Sequence, residues 1–345
     1  MGMGGVAITG VAGFLGQGLL RRLAGPGSPG ASSRIVGLDV AAPAFRTREL
    51  EMHLVDVTRA ELVPLLDGVE VLVHLAGVHD AIPDDDLMAR VNVTGTRRVL
   101  EAAGAAGVRK FVLVSSATVY GAWPNNPIPL NEDAPLRPNP GFSLAVHKAE
   151  SERLLAEWGA AHPEAVTTVL RPATVVGARA DHALARLLRS TAAFVGVAGT
   201  SAPVQFVHEE DAVEALALAV GADLPGAYNV AADGWLSREE LRGILGRRFQ
   251  PGIGPELLER VLGRLWSAGL VDLPPSAVPY LSHPWVVAID RLRAAGWSPQ
   301  HSNEEAVLAC IEARPRSGRA KLATAVGVGA GLAAAGLVLG ARRRH

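Results

Sequence analysis

The first half of the chain alternates strand-like runs with segments of helical period, and this alternation limits the possible fold more than any other feature. The strand-like runs, rich in β-branched and aliphatic residues, cover 6–9, 35–39, 52–55, 69–75, 111–115 and 166–171. Helical segments between them cover 13–24, 84–106 and 143–161. Strands that alternate with helices form βαβ units, which build a parallel sheet with helices on both faces. The sequence therefore predicts an α/β fold with a doubly wound parallel sheet.

The alternation becomes less regular beyond Arg171. Strand-like runs at 204–208 and 227–232 are each followed by a helix-like segment, and Gly/Pro-rich breaks at 250–255 and 273–279 separate further helices. We expect a first domain over residues 1–177 and a smaller, discontinuous region over 178–312. Strands of this second region are expected to return in part to the main sheet, and its helices to cap the ligand site.

The end of the chain predicts a membrane helix. Residues 313–321 form a basic linker, and the uncharged segment LATAVGVGAGLAAAGLVLGA follows at 322–341. At a rise of about 1.5 Å per residue, this segment spans roughly 30 Å, the thickness of the hydrocarbon core of a bilayer. The spacings Gly327/Gly331 and Gly336/Gly340 allow close helix packing. The alternative is a flexible tail or a soluble helix, because Ala and Gly partition weakly into membranes.

Composition and charge argue against nucleic-acid binding. The 33 basic and 34 acidic residues give a formal charge of −1, so no overall field favours nucleic acid. The single cysteine, Cys310, cannot form an intramolecular disulfide, and the first residues lack a signal-peptide pattern. We expect a cytoplasmic globular part without a metal site, and an apolar fraction of 49% supports a sizeable core.

A glycine-rich turn, VAITGVAGFLG, predicts a dinucleotide site. Gly10, Gly13 and Gly16 fall directly after a strand and at the start of a helix, where a pyrophosphate needs close backbone approach and free helix amides. Asp39 ends the second strand, where a carboxylate accepts the adenosine ribose hydroxyls and repels a 2′-phosphate. The pattern favours NAD over NADP. The alternatives are a purely structural turn and a surface acid.

Several further motifs appear in a fixed order along the chain. They are TGVAGFLG (9–16), VDVT (55–58), HLAG (74–77), VNVTGT (91–96), SSATVYG (115–121), RPATVVG (171–177), QFVHEEDAVEA (205–215), AYNVAADG (227–234) and AAGWSP (294–299). On these motifs, residues 4–312 resemble the extended short-chain dehydrogenase/reductase family, which includes NAD-dependent epimerases, dehydratases and 3β-hydroxysteroid dehydrogenases. The resemblance implies a Rossmann-type fold and, as in many such proteins, helices that pair in a homodimer.

The resemblance also implies the residues of an NAD site. The family pattern assigns cofactor contacts to Gly10, Gly13, Phe14, Leu15, Gly16, Asp39, Asp56, Val57, Leu75, Ala76, Gly77, Asn92, Lys148 and Pro172.

The catalytic positions of the family match this chain except at one place. In the family a serine polarises the substrate oxygen, a tyrosine transfers the proton, and a lysine four residues later binds the ribose and lowers the pKa of the tyrosine. Ser116 and Lys148 match the serine and the lysine. The stretch FSLAVHK places Leu144 at the tyrosine position, and leucine cannot carry a proton. The sequence therefore predicts altered or weak proton transfer.

Several other side chains are candidates to replace the tyrosine. His79 and Asp80 lie in the loop after a strand, where ligands bind in such sheets, although both also fit an exposed polar loop. Tyr120 is predicted to be structural, and His147 lies on a different helical face from Lys148. Tyr228 and Tyr280 have no position that the sequence defines.

Two main hypotheses follow. The first is an NAD-dependent epimerase/dehydratase-like or dehydrogenase-like oxidoreductase that acts on a sugar nucleotide, a steroid-like compound or another hydroxylated small molecule. The second is a catalytically silent NAD-binding sensor or scaffold at a membrane, which Leu144 favours and the retained Ser116 and Lys148 disfavour. A membrane-attached interaction protein without cofactor is the third, and it requires the glycine turn to be a relic.

Overall fold

The computed structural model describes residues 4–25, 27, 34–189, 197–246 and 252–313. These residues contain nine strands. They are β1 (Gly5–Thr9), β2 (Ile35–Asp39), β3 (Leu50–Leu54), β4 (Val69–His74), β5 (Lys110–Val114), β6 (Val166–Pro172), β7 (Thr174–Val176), β8 (Phe206–His208) and β9 (Gly226–Val230).

The helices of the same residues follow in chain order. They are α1 (Phe14–Ala24), α2 (Asp85–Ala89), α3 (Gly95–Ala105), α4 (Ser143–Ala161), α5 (Ala183–Arg189), α6 (Glu209–Gly221), α7 (Arg238–Ile244), α8 (Pro255–Ser267), α9 (Val278–Ser282), α10 (Asp290–Ala294) and α11 (Asn303–Glu312). Short 3-10 turns cover Val63–Leu66, Ala117–Tyr120 and Pro275–Ala277.

The central sheet is parallel and has seven strands in the order β3-β2-β1-β4-β5-β6-β9. The predicted doubly wound parallel sheet is therefore confirmed. Strand order reverses between β1 and β4, and in open sheets of this kind ligands bind outside the carboxyl ends of the strands at that point. The fold thus places the glycine turn after β1 and the loop after β4 on the same edge.

Two apolar layers cover the sheet. Leu19 and Leu20 of α1 pack with Leu216 and Val220 of α6 on one face. Residues of α3 and α4, such as Leu100 and Leu154, pack on the other. Because both faces are covered, all five residues of β1 are buried, which explains why the strands read as nearly continuous apolar runs in the sequence.

The helix predicted over residues 84–106 is interrupted. A π-helical turn, Arg90–Thr94, separates α2 from α3. The carbonyl oxygen of Asn92 accepts hydrogen bonds from Thr96 Oγ1 at 2.6 Å and from Ser151 Oγ at 3.1 Å, so side-chain hydroxyls satisfy a group that a regular helix pairs with its backbone. Such turns are frequent at functional sites. Here the turn carries the Asn92 side chain that contacts the loop after β4.

The region after β6 contributes to two sheets. β7 pairs with β8 in a separate two-stranded parallel sheet, whereas β9 joins the main sheet beside β6. The predicted membrane segment 322–341 lies outside the described residues. Among the residues that are described, no helix has both the length and the apolar character needed to cross a membrane.

Candidate active site

The glycine turn has no room for side chains at two of its three glycines. Gly10 has a φ of +71°, and a Cβ there would lie 2.7 Å from the backbone nitrogen of Ala76. A Cβ on Gly16 would lie 2.2 Å from the carbonyl oxygen of Gly10. Gly13 precedes α1, and no side chain caps that helix. The first amides of α1 are therefore available to a pyrophosphate, so this cradle fits a dinucleotide.

Asp39 is joined to the glycine turn by a hydrogen bond. Its Oδ2 accepts from the backbone amide of Ala12 at 2.9 Å, and its Oδ1 accepts from the amide of Ala41 at 3.1 Å. The amide of Gly10 also donates to the carbonyl oxygen of Leu38 at 2.8 Å. The carboxylate therefore lies directly beside the phosphate turn. That is the position in which it can accept ribose hydroxyls and repel a 2′-phosphate.

The loop after β4 is held by side chains from two other elements. Thr9 Oγ1 accepts from the amides of Leu75 and Ala76 at 3.2 and 3.1 Å. Asn92 Oδ1 accepts from the amide of Val78 at 2.7 Å, and its Nδ2 donates to the carbonyl oxygen of Val78 at 3.2 Å. Asn92 therefore anchors the loop through both the backbone N–H and the backbone C=O of Val78. The sequence indicated Asn92 as a cofactor contact but not this anchoring role.

The other predicted cofactor residues lie on neighbouring segments. Asp56 follows β3, and its Oδ1 accepts from Thr58 N at 2.9 Å and Thr58 Oγ1 at 2.7 Å; these hydrogen bonds lower the pKa of the Asp56 carboxyl. Val57 is buried behind it. Pro172 ends β6, and a Cβ on Gly77 would lie 3.1 Å from Asn92 Oδ1. Phe14 and Leu15 begin α1, and both pack against apolar clusters.

Lys148 and Ser116 both lie at the carboxyl end of β5. Lys148 Nζ donates to the carbonyl oxygen of Val114, the last residue of β5, at 2.8 Å. Ser116 Oγ accepts from Thr118 N at 3.2 Å and from Thr118 Oγ1 at 3.0 Å. Burial lowers the pKa of the Lys148 ammonium to about 8, although the negative charge of Glu152 opposes this shift. A lysine with this pKa can gain or lose its proton close to neutral pH.

Leu144 lies in the first turn of α4, one turn before Lys148. Residues four apart share a helical face, so Leu144 faces the same side as Lys148. Its side chain is partly buried. No ionisable group stands at this position, as the sequence indicated.

Tyr120 and Tyr280 do not take the place of the missing tyrosine. Tyr120 Oη donates to Asn229 Oδ1 at 2.8 Å and accepts from Arg171 Nη1 at 2.8 Å, so it belongs to a buried network. Tyr280 Oη donates to the carbonyl oxygen of Thr118 at 2.9 Å, which supports the serine turn from the C-terminal region. Burial raises the pKa of Tyr280, which opposes proton transfer by this group. No pattern in the sequence predicted this contact between Tyr280 and Thr118.

His79 and Asp80 have different roles in the structure. Asp80 Oδ1 accepts from the amide of Ala183 at 2.8 Å, and Asp80 Oδ2 pairs with Arg186 Nη2 at 2.8 Å, so its carboxylate is occupied. His79 Nε2 donates to the carbonyl oxygen of Leu75 at 3.1 Å, which leaves the Nδ1 lone pair free. Desolvation by the surrounding protein lowers the pKa of the His79 imidazole, and the charge of Lys148 adds to this effect. The imidazole is therefore neutral at pH 7.

A buried ion pair holds α4 against β6 beside the site. Arg171 Nη2 lies 2.7 Å from Glu152 Oε2, and the side chains are 8% and 6% exposed. Arg171 also donates to Tyr120 Oη, and its guanidinium lies 5.1 Å from the centre of the Tyr120 ring. Glu152 lies one turn after Lys148, so the network orients the helix that carries Lys148. In the sequence, only the position of Glu152 four residues after Lys148 on the same helix indicated that Glu152 lies near the site.

The fold and the site together define a class of NAD-binding enzyme. Residues 6–231 match the model of the NAD dependent epimerase/dehydratase family. The chain belongs to this family, NAD is its cofactor, and the resemblance seen in the sequence motifs is confirmed.

Relatives in the family act on chemically different compounds. The UDP-glucose 4-epimerase of Mycolicibacterium smegmatis is 31% identical over 338 residues, which cover 88% of this chain and 96% of that protein. The ceramide reductase of Caulobacter vibrioides is 30% identical over 338 residues, 86% of this chain and 97% of that protein. MoeE5 in complex with UDP-glucuronic acid and NAD has a TM-score of 0.71, with 24% identity and coverage of 90% and 98%; this similarity shows the fold.

Proposed function

We propose that this enzyme transfers hydride between NAD and a hydroxylated carbon of a sugar nucleotide, with altered proton transfer. The observation that carries the proposal is the joint placement of Ser116 and Lys148 at the end of β5, next to an intact NAD turn, with Leu144 in place of an acid–base residue. The sugar nucleotide is supported by the relative named UDP-glucose 4-epimerase, which matches this chain over nearly its whole length. Residues 178–312 are proposed to bind the substrate.

The residues of the site have distinct parts in this proposal. The oxygen of Ser116 accepts two hydrogen bonds from Thr118, so its own O–H is left to donate to a substrate oxygen. The Lys148 ammonium is proposed to bind the nicotinamide ribose, and Asp39 the adenosine ribose. When bound, NAD supplies the hydride acceptor or donor. The protein polarises the substrate oxygen, orients both partners and provides a positive charge next to the reacting carbon.

The proton must go to a group other than residue 144. Asp80 is occupied by Arg186 and by the amide of Ala183, so its carboxylate is a poor candidate. His79 is neutral at pH 7 with its Nδ1 unprotonated, so this nitrogen or a water molecule is the proposed acceptor. The lowered pKa makes His79 a weak base. Turnover is therefore expected to be slow.

A second candidate function is an NAD-binding sensor or scaffold without turnover, and Leu144 is the observation that favours it. In this version Lys148 binds the ribose only, and the proposed membrane helix at 322–341 attaches the protein to a bilayer. A lipid or steroid-like alcohol remains the alternative substrate of the first function, because a relative of similar length is named ceramide reductase.

The test begins with fluorescence titrations of the full-length protein with NADH and NADPH. It continues with incubation of the protein and NAD⁺ with UDP-glucose, UDP-glucuronic acid, ceramide or a 3β-hydroxysteroid, followed by product analysis. Turnover of a UDP-sugar that is lost in Ser116→Ala supports the proposal. Tight NADH binding without turnover of any of these compounds supports the sensor. Turnover that survives both Ser116→Ala and Lys148→Ala contradicts the assigned site.

A further inference from the structure

Two histidines and a glutamate lie together outside the NAD site described above. His208 ends β8, Glu210 lies in the first turn of α6, and His301 precedes α11. One ligand atom from each of the three side chains lies within 4.8 Å of the others. His301 is far from the other two in the sequence, so no spacing pattern revealed the group, and the sequence predicted no metal site.

The orientation of His301 is set by a carboxylate. Asp211 Oδ2 accepts from His301 Nδ1 at 3.1 Å and from the backbone amide of His301 at 3.0 Å. The amide of Gln300 donates to Asp211 Oδ1 at 3.0 Å. Nδ1 therefore carries the proton and Nε2 has the lone pair, which lies 3.9 Å from Glu210 Oε2. Metal-binding histidines commonly donate their second ring N–H to a carboxylate in this way.

His208 completes the group from the buried side. Its ring is stacked on that of His301, with centroids 3.8 Å apart and planes inclined by 26°. The Nδ1 atom of His208 has a lone pair, because it accepts a hydrogen bond from a backbone amide. Nδ1 of His208 accepts only a long hydrogen bond, 3.3 Å, from the amide of Glu210. Ligation of a shared ion therefore requires the His208 ring to turn out of this stack and to give up its hydrogen bond at the N-terminus of α6.

The charges around the group favour a cation. Glu210 and Asp211 are in the first turn of α6, and the Glu305 carboxylate accepts hydrogen bonds from Ser302, the residue after His301. The nearby cation, Arg179, is paired with the buried Glu209 at 3.1 Å. The start of α6 has a positive dipole end, which opposes a cation. The three carboxylates offset this effect.

We propose that His208, Glu210 and His301 bind a divalent transition-metal ion, with Zn²⁺ as the best match. Two imidazole nitrogens and one carboxylate oxygen are a common zinc donor set, and water can supply the fourth ligand. The ion would join the segment before α11 to the β8–α6 corner. Its role is then to hold the C-terminal part of the chain, independently of the NAD site and of the reaction proposed above.

The test is a titration of chelator-treated, full-length protein without a polyhistidine tag. Co²⁺ is added first, its d–d absorption reports ligation by the protein, and Zn²⁺ is then added to displace it. Calorimetry with Zn²⁺ alone gives stoichiometry and affinity. We expect one ion per chain and at least about tenfold weaker binding in His301→Ala and in Glu210→Gln. NADH affinity is measured on every variant and is expected to stay unchanged.

A matched control is available on the surface of β3. His53 Nε2 lies 2.9 Å from Glu51 Oε1, so this pair offers one imidazole and one carboxylate without a second histidine. His53→Ala should bind Zn²⁺ as the unaltered protein does. If His301→Ala does not fold, the exposed Glu210→Gln decides the question. Absence of saturable Zn²⁺ binding, or equal affinity in Glu210→Gln and the unaltered protein, overturns the proposal.

Discussion

Lys148 Nζ donates to the backbone carbonyl oxygen of Val114 at 2.8 Å, and this contact joins α4 to the end of the central strand β5. The same strand leads two residues later into Ser116. The ammonium is thus held at the carboxyl edge of the sheet even though the residue one turn before it is leucine. Cofactor binding and proton transfer can therefore be separated experimentally in this protein.

The first prediction concerns the missing tyrosine. Leu144→Tyr should raise turnover of an accepted alcohol or ketone by about 100-fold, the lower end of what positioned acid–base groups contribute, because the new hydroxyl faces Lys148 one turn away. NADH affinity should change little. Leu144→Phe is the matched control, since it adds the ring without the hydroxyl. An equal gain in the phenylalanine variant would show that packing, and not proton transfer, limits the unaltered enzyme.

The second prediction concerns cofactor choice. NADH should bind more tightly than NADPH. Asp39→Ala should weaken NADH binding by roughly tenfold, because the carboxylate supplies a charge-assisted hydrogen bond. The same variant should reduce the difference in affinity between NADH and NADPH, because the carboxylate no longer repels a 2′-phosphate. Fluorescence titration measures both affinities. Glu61→Ala, which removes another exposed acid outside the glycine turn, is the control. Equal affinities for both cofactors in the unaltered protein would disprove the assignment of Asp39.

The third prediction is a pH dependence. Burial lowers the pKa of Lys148 to about 8, so the ammonium is charged below that pH and loses its proton above it. If the charged form binds the cofactor, the dissociation constant for NADH should be constant between pH 6 and 7 and rise by up to about tenfold per pH unit above 8. Lys148→Met should bind more weakly and show no such rise. A flat profile in the unaltered protein would contradict a role of the ammonium in binding.

The fourth prediction concerns stability. Glu152→Gln should lower the free energy of unfolding by about 3–5 kcal/mol, because it leaves the buried guanidinium of Arg171 without its counter-charge. Glu150→Gln on the same helix is the matched control, since Glu150 pairs with the half-exposed Arg153 and should cost only about 0–1 kcal/mol. Urea denaturation measures both. Similar losses in the two variants would mean that the buried ion pair contributes no more to the free energy of unfolding than the exposed pair does.

The fifth prediction concerns the segment at 322–341, and it rests on the sequence alone. The full-length protein should sediment with membranes and require detergent for release, whereas a chain that ends at Glu312 should not. Both chains should bind NADH equally, which shows that the shorter one is folded. If the full-length protein stays in the supernatant without detergent, the segment is not an anchor.

Much of the site could be predicted from the sequence because its residues are local. The glycine turn, the acid at the end of β2 and the pair Leu144/Lys148 each depend on residues within one strand, turn or helix. The interruption of the helix over 84–106 could not be predicted, since it depends on Ser151 of α4 as a partner for the Asn92 carbonyl. Helical periodicity reports the apolar face of a helix and not the partners of its backbone.

The sequence by itself determined the parallel sheet, the dinucleotide turn and the absence of an acid–base side chain at position 144, because strand and helix periods and glycine placement are properties of neighbouring residues. Only the tertiary structure decided that Asp80 pairs with Arg186, 106 residues away, whereas His79 lies close enough to Lys148 for its charge to lower the His79 pKa. It also decided that His301 lies on His208. These pairs form where loops from distant segments meet, and the geometry of such meetings depends on the packing of the whole sheet and its helices.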